Sequence, residues 1–194
     1  MLAEKIKNKH LILASASPRR HYFLKELGLD FEVRIKNIKE TYPSDLMRSE
    51  ITDYLSKLKA EPFVKNLKEN EILVTSDTIV WLGNKALEKP ENTSHAMQML
   101  NELSNRSHEV ISSICISTFN KQVITNDSTV VHFKKLLPDE IEYYVNKFKP
   151  FDKAGSYGIQ EWIGFIGIDK IDGNYSNVMG FPVHKFYKEM MELL

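Results

Sequence analysis

Apolar and polar positions recur along this chain with two different periods. Leu11-Ile12-Leu13-Ala14 is a short unbroken apolar run, as a buried strand requires, and Ser17-Pro18 follows it as a helix cap with proline in the first turn. The helix predicted from there runs to about Leu27, with Gly28 as its stop. Phe31 to Ile35 reads as a second strand, and Ile51, Tyr54, Leu55 and Leu58 fall at helical spacing. Ile72 to Thr75 is a third, four-residue apolar strand that runs directly into Ser76-Asp77-Thr78. Gly83-Asn84 marks a tight turn, and Thr93 is placed to cap a helix bearing Ala96, Met97, Leu100 and Leu103. Val110 to Phe119 and Val123 to Phe133 are rich in β-formers and flank Asn120-Lys121, which predicts a hairpin. Pro138 opens a helix with Ile141, Tyr144, Val145 and Phe148 on one face. Trp162 to Ile171 reads as a further strand closed by Asp172-Gly173-Asn174. The last helix is expected to bury Val183, Phe186, Tyr187, Met190, Met191 and Leu194.

Strands mixed with helices predict an α/β fold, and the hairpin makes its sheet mixed. There is no internal repeat or low-complexity linker, so residues 1–194 are read as one domain. The long segment between Ser104 and Phe133 is the candidate for a second lobe.

Composition narrows the function. The 26 basic and 26 acidic residues cancel, which removes the electrostatic footprint of a nucleic-acid polymer or membrane binder. An anion site must then be local. Cys115 is the single cysteine, so no internal disulfide forms. Met1 to Lys9 is charged throughout, and no apolar run approaches membrane-spanning length, so the expected location is cytoplasmic. The nucleotide-binding loops GxxxxGK[ST] and GxGxxG are absent, and so are the GxSxG elbow and HExxH.

Four segments carry candidate chemistry. In Ser15-Ala16-Ser17-Pro18-Arg19-Arg20 a strand gives way to a helix start, whose N–H groups and positive dipole end suit phosphate, with hydroxyls and guanidiniums beside them. Asp77 follows an apolar strand, at the end where α/β folds bind ligands, and a carboxylate there can hold a hard cation or activate water. Lys89 stands in the turn Leu87-Glu88-Lys89-Pro90. Asp152 to Gln160 has small residues that admit a ligand to the backbone, and the Gln160 amide both donates and accepts. Taken singly, each reads more simply as a capped helix, a turn or a solvated loop.

Their order changes that. Ser-x-Ser-Pro-Arg-Arg, Ser-Asp-Thr, Lys-Pro, Asp-Lys-Ala-Gly-x-Tyr-Gly-Ile-Gln and Asp-Gly-x-Tyr-Ser-Asn-Val-x-Gly-x-Pro follow one another, with Ser104-x-Arg106-x-His108-Glu109-Val110 among them. From Leu11 to the C-terminal helix the chain resembles the Maf family of nucleotide pyrophosphatases. The resemblance implies an elongated mixed sheet with two lobes around a cleft, like that of the inosine triphosphatase group. It implies hydrolysis of a nucleoside triphosphate to monophosphate and pyrophosphate, dependent on a divalent cation, Mg²⁺ or Mn²⁺, and a homodimer. Asp77 matches the proton acceptor and, with Glu40, the metal-binding carboxylates. Ser15, Arg19, Arg20, Lys59 and Lys89 match the phosphate-binding groups. Arg19, Thr78 and Gln160 match the selectivity positions of the branch that acts on dTTP and UTP. Alternatives within this resemblance are 7-methyl-GTP or another modified nucleotide as substrate, and a non-catalytic nucleotide-binding regulator of cell division. The chain departs from the family at Glu88 and Glu161, where glycine is usual, and at Lys39, where one of two acidic residues is replaced.

Overall fold

The computed structural model describes all residues, Met1–Leu194. The elements in order are α1 (Leu2–Ile6), β1 (His10–Leu13), α2 (Pro18–Glu26), β2 (Glu32–Val33), α3 (Ser49–Val64), β3 (Glu71–Leu82), β4 (Lys85–Leu87) and α4 (Thr93–Leu103). There follow β5 (Ser107–Ser117), β6 (Gln122–Phe133), α5 (Pro138–Phe148), a 3₁₀ turn (Ala154–Ser156), α6 (Trp162–Gly167), β7 (Ile168–Asp172), α7 (Tyr175–Val178) and α8 (Val183–Leu193).

The strands form a 7-stranded sheet in the order β2-β1-β3-β5-β6-β7, with β4 beside β3. β1 pairs in parallel with β2 and β3, whereas β3–β4 and β6–β7 are antiparallel. The sheet is therefore mixed, as the sequence predicts. The hairpin at Asn120-Lys121 forms: Thr118 N–H donates to the Lys121 carbonyl at its tip, and Phe133 N–H donates to Arg106 at its base. Gly83 turns β3 into β4 at a φ of +61°, open to glycine without strain. Gly28, at +69°, ends α2, and its N–H takes the Lys25 carbonyl.

The chain divides into two compact units. One comprises Met1–Asp77, Ser112–Asp127 and Gly180–Leu194, and the other comprises Thr78–Ile111 and Ser128–Met179. The long strands β3, β5 and β6 contribute to both. The first unit has two apolar clusters, one around Leu13, Leu24, Ile72, Val74, Phe181 and Phe186, the other around Ile12, Ala60, Phe63 and Leu73. The second unit packs Leu87, Leu100, Phe133, Ile141, Tyr144 and Ile163 into one cluster. The lobe expected over 104–133 is thus split, because its hairpin strands are long enough to serve both cores.

Several expectations are corrected. The strand predicted from Trp162 begins instead as helix α6, and only Ile168–Asp172 is extended. The Glu161 carbonyl accepts the N–H groups of both Gly164 and Phe165, which winds this apolar run into a turn. Asn92, not Thr93, caps α4, by accepting the His95 N–H. The second strand shrinks to Glu32–Val33. On α3 the buried stripe is Ile51, Thr52, Leu55, Ser56, Ala60 and Phe63, while Tyr54 is exposed. The hydroxyls on this buried stripe are satisfied: Thr52 Oγ1 meets Ser113 Oγ at 2.6 Å, and Ser56 Oγ donates to the Asp53 carbonyl at 2.9 Å. On α8, Phe186 and Met190 are buried, but Tyr187 and Leu194 are exposed.

Candidate active site

In the first unit the expected phosphate segment folds as the sequence suggests, with one difference. Ser17 occupies the cap position of α2 and Pro18 its first turn, yet the Ser17 hydroxyl makes no capping bond. Ser15 Oγ accepts the Ser17 N–H at 3.2 Å instead, which bends the chain from β1 into the helix. Arg20 then reaches back. Its Nη1 donates to the Ser76 carbonyl at 2.8 Å and to Ser15 Oγ at 3.3 Å, and its Nε donates to the Gly180 carbonyl at 3.0 Å. Burial lowers this guanidinium to about 10, the nearby Asp77 charge opposes that fall, and Arg20 stays cationic at neutral pH. Arg19 follows Pro18 in the first turn of the same helix, half-buried.

Asp77 does not lie at the end of a short strand, as its sequence context predicts. β3 continues through it to Leu82. What ends nearby is the parallel ladder, whose last pair is Leu13 with Val74. Asp77 therefore still projects just past the carboxyl end of the parallel pairing, which is where such sheets place ligands. Its side chain shares a strand face with Thr75, and Thr75 bonds to α3. One turn along α3, Lys59 Nζ lies 2.6 Å from Asp77 Oδ1 and 3.0 Å from Glu40 Oε2. Glu40, Lys59 and Asp77 are thus brought together from three separate segments. Asp77 is buried, and its Oδ2 has no hydrogen-bond partner, nor has the Ser76 hydroxyl beside it. A buried carboxylate oxygen left open is costly unless something binds there.

Thr78, Lys89 and Gln160 belong to the second unit. Thr78 is half-buried on β3, and Lys89 is exposed beyond β4. The Glu88 carbonyl accepts the Gly155 N–H at 3.1 Å, tying the Lys-Pro turn to the Asp152–Gln160 loop. Gln160 Oε1 is buried without a partner. The same loop joins Asp152, Lys153 and the departure at Glu161 to Tyr144, which the sequence read only as a core residue of its helix. Lys153 Nζ binds Asp152 at 2.8 Å and Glu161 at 3.0 Å, and the Tyr144 hydroxyl donates to Glu161. In the first unit the groups missed are His21, whose ring bonds the Ser15 carbonyl at 2.7 Å, and Gly180, whose carbonyl holds Arg20. Gly180 has a φ of +95°, and the Gly-x-Pro string was its one signal.

His108 Nε2 lies 2.7 Å from the Tyr157 hydroxyl, with both side chains buried. Burial drops the imidazole from 6.5 to about 3, with repulsion from His132 adding to the fall, so the folded ring is neutral. An unfolded His108 takes up a proton near its ordinary value, whereas the folded one resists until much lower pH. Stability is therefore lost as pH falls below the unfolded value, by about 2 kcal/mol on reaching about pH 5. Unfolding of the parent and of His108→Asn, compared at about pH 7 and about pH 5, should show the gap between them narrowing by that amount.

The family model described as Maf-like protein matches residues 10–193. The dTTP/UTP pyrophosphatase of Flavobacterium psychrophilum is 58% identical over 187 residues, 96% of this chain and 96% of that protein. The dTTP/UTP pyrophosphatase of Flavobacterium johnsoniae is 53% identical over 194 residues, 100% of both chains. Among solved structures the Staphylococcus aureus Ham1 protein matches with a TM-score of 0.51 at 14% identity, covering 93% of this chain and 100% of that one, a likeness of fold. With the ordered motifs in place and the match running almost from end to end, this chain belongs to the Maf-like protein family.

Proposed function

We propose that this chain hydrolyses dTTP and UTP between the α- and β-phosphates, releasing pyrophosphate and the nucleoside monophosphate, with a divalent cation, Mg²⁺ or Mn²⁺. The single observation that carries the chemistry is the buried Asp77 carboxylate, with Oδ1 held by Lys59 and Oδ2 open. The relatives named dTTP/UTP pyrophosphatase support the substrate.

Cations of this kind bind through one or two carboxylates together with substrate phosphates. Glu40 and Asp77 supply that number, and the open Oδ2 fits the requirement, so these two residues would hold the ion. The cation supplies neutralisation of triphosphate charge. Asp77 orients a water toward the α-phosphorus and takes its proton on Oδ2, which has a second acceptor site. Lys59, anchored by two carboxylates, brings a fixed positive charge to the phosphates. Arg19, at the start of α2, binds the departing pyrophosphate, and Lys89 of the second unit is assigned to phosphate by the family match alone. Arg20, committed to Ser76 and Gly180, adds its field and fixes the start of α2 with Ser15. Thr78 and Gln160 select the base, the Gln160 amide matching the N–H and carbonyl of uracil or thymine.

The balanced charge supports a free nucleotide rather than a nucleic-acid polymer as the partner. The cytoplasm, where such nucleotides are made and used, is the location we assign. No helix is long and apolar enough to cross a membrane. We assign a homodimer, for which an exposed aromatic such as Phe119, at 62% accessibility, is a candidate contact.

The test is a panel of dTTP, UTP, CTP and 7-methyl-GTP with Mn²⁺ or Mg²⁺. Pyrophosphate should appear from dTTP and UTP, and chelation of the metal should abolish it. Release of orthophosphate, or turnover of 7-methyl-GTP alone, overturns the proposal.

A further inference from the structure

The loop carrying Gln160 is pinned by side chains that the hydrolytic chemistry does not use. Tyr144, fully buried on α5, donates its hydroxyl to Glu161 Oε2 and accepts the Gly158 N–H at 3.1 Å. Lys153, also buried, donates to Glu161 Oε1 at 3.0 Å. The Glu161 N–H donates to the Gly158 carbonyl at 3.0 Å and closes a turn over residues 158–161. Both carboxylate oxygens are thereby committed, and the turn is held at each end by charge-assisted or backbone bonds. Burial and the Glu161 carboxylate push the Tyr144 phenol well up, so it remains a donor.

Gln160 lies inside this turn. A Cβ placed on Gly158 would stand 2.9 Å from Gln160 Nε2 and 3.1 Å from Glu161 Oε2, so the amide nitrogen and the carboxylate border one small space. A carboxylate only accepts; it favours the NH₂ end of a neighbouring amide and opposes its oxygen. Gln160 Oε1 itself is buried and without a partner. An acceptor in that state is satisfied when a ligand N–H reaches it.

We propose that Glu161 is a positioning residue for base selection: held by Tyr144 and Lys153, it locks the Gln160 amide with its oxygen presented to the base. This rests on the reading of Gln160 as the base-selecting residue. Uracil and thymine offer an N–H between two carbonyls, which Oε1 accepts. Cytosine offers a lone pair at that ring nitrogen. Meeting it requires the amide to turn over, and its oxygen would then oppose Glu161.

Glu161→Gln keeps the shape and removes the charge, and kcat and KM for UTP and CTP should be measured separately. The UTP-over-CTP ratio of kcat/KM should fall about tenfold, chiefly through KM, with kcat for UTP within about threefold of the parent. Tyr144→Phe, which frees the carboxylate from one bond, should move the ratio the same way by less. An equal loss on both substrates means a merely structural role and overturns the proposal. Selectivity that survives Glu161→Gln but is lost in Gln160→Ala overturns the role of Glu161 alone. Selectivity that survives both overturns the reading of Gln160 as well. A readout independent of turnover is the binding of UMP and CMP: the parent should favour UMP, that preference should shrink about tenfold in Glu161→Gln, and an unchanged preference overturns the lock.

Discussion

Asp77→Asn should lower kcat for dTTP by at least about 100-fold, the lower range for losing a general base, while KM stays within a few-fold. The substitution keeps shape and removes the charge that accepts the proton. Lys59 retains Glu40 at 3.0 Å, so the lysine is not stranded, and its side chain is still partly solvated. The buried Oδ2 position becomes an amide or its oxygen, and either is a far weaker base than a carboxylate. Pyrophosphate release in single-turnover and steady-state assays separates loss of chemistry from loss of binding. Thermal unfolding checks that the fold persists. A variant that turns over dTTP near the parent rate removes Asp77 from the role of base. One that loses binding and rate together makes it a substrate ligand instead.

The candidate residues of this site stood out in the sequence for a limited reason. Ser15, Arg19, Arg20, Asp77 and Gln160 stand inside short strings whose order is distinctive, and a string needs no three-dimensional information. Their pairings were not legible. Arg20 is held by Gly180, which is 160 residues away, and Lys59 joins Glu40 to Asp77 across two loops. Nothing local in the sequence encodes those pairings; they exist only once the sheet and α3 have packed. Glu161 shows the same gap from the other direction. At its position glycine is the usual residue in the family it resembles, so the string read it as a departure. The structure makes it the anchor of Tyr144 and Lys153.

The fold shows where periodicity is strong and where it fails. The hairpin, α5 and the turn at Gly83 follow from β-former runs, a proline start and a glycine with positive φ. The buried face of α3 does not follow, because an apolar count assigns Tyr54 to the core and overlooks hydroxyls that are satisfied by Ser113 and Ser49. Asp77 in mid-strand escapes for a related reason: polar Ser76, Asp77 and Thr78 look like a strand end. Ser76 and Asp77 are buried in continuous β-structure, where Arg20 donates to the Ser76 carbonyl and Lys59 to Asp77 Oδ1.

The misread segment at Trp162 yields the second large effect, on stability. Gly164→Ala should cost about 3 kcal/mol or more, the upper range for overpacking, and for a chain of this size lower Tm by about 6–12 °C. An ideal Cβ at Gly164 stands 1.9 Å from the Ile159 carbonyl oxygen, which is backbone and has no rotamer to escape into. The helix turn cannot swing away, because the Gly164 N–H is bonded to Glu161 at 2.9 Å and the neighbouring Ile163 is fully buried. Nor can Ile159 retreat freely, since its side chain packs in the same core. Two neighbours give the contrast. At Gly167 the nearest atom to a Cβ is the end of the Leu136 side chain at 2.9 Å, which can turn aside, so Gly167→Ala should cost less than about 1.5 kcal/mol. Phe165 is 74% exposed, so Phe165→Ser should leave Tm within about 2 °C. Thermal unfolding of the three variants orders them. Had Trp162–Gly167 been the strand its composition suggests, Phe165 and Gly164 would lie on opposite faces of a sheet and Gly164 would meet no carbonyl from Ile159. Equal melting temperatures for the parent and Gly164→Ala would therefore argue for that strand, and a selective collapse of Gly164→Ala for the tight helical turn that follows Gln160.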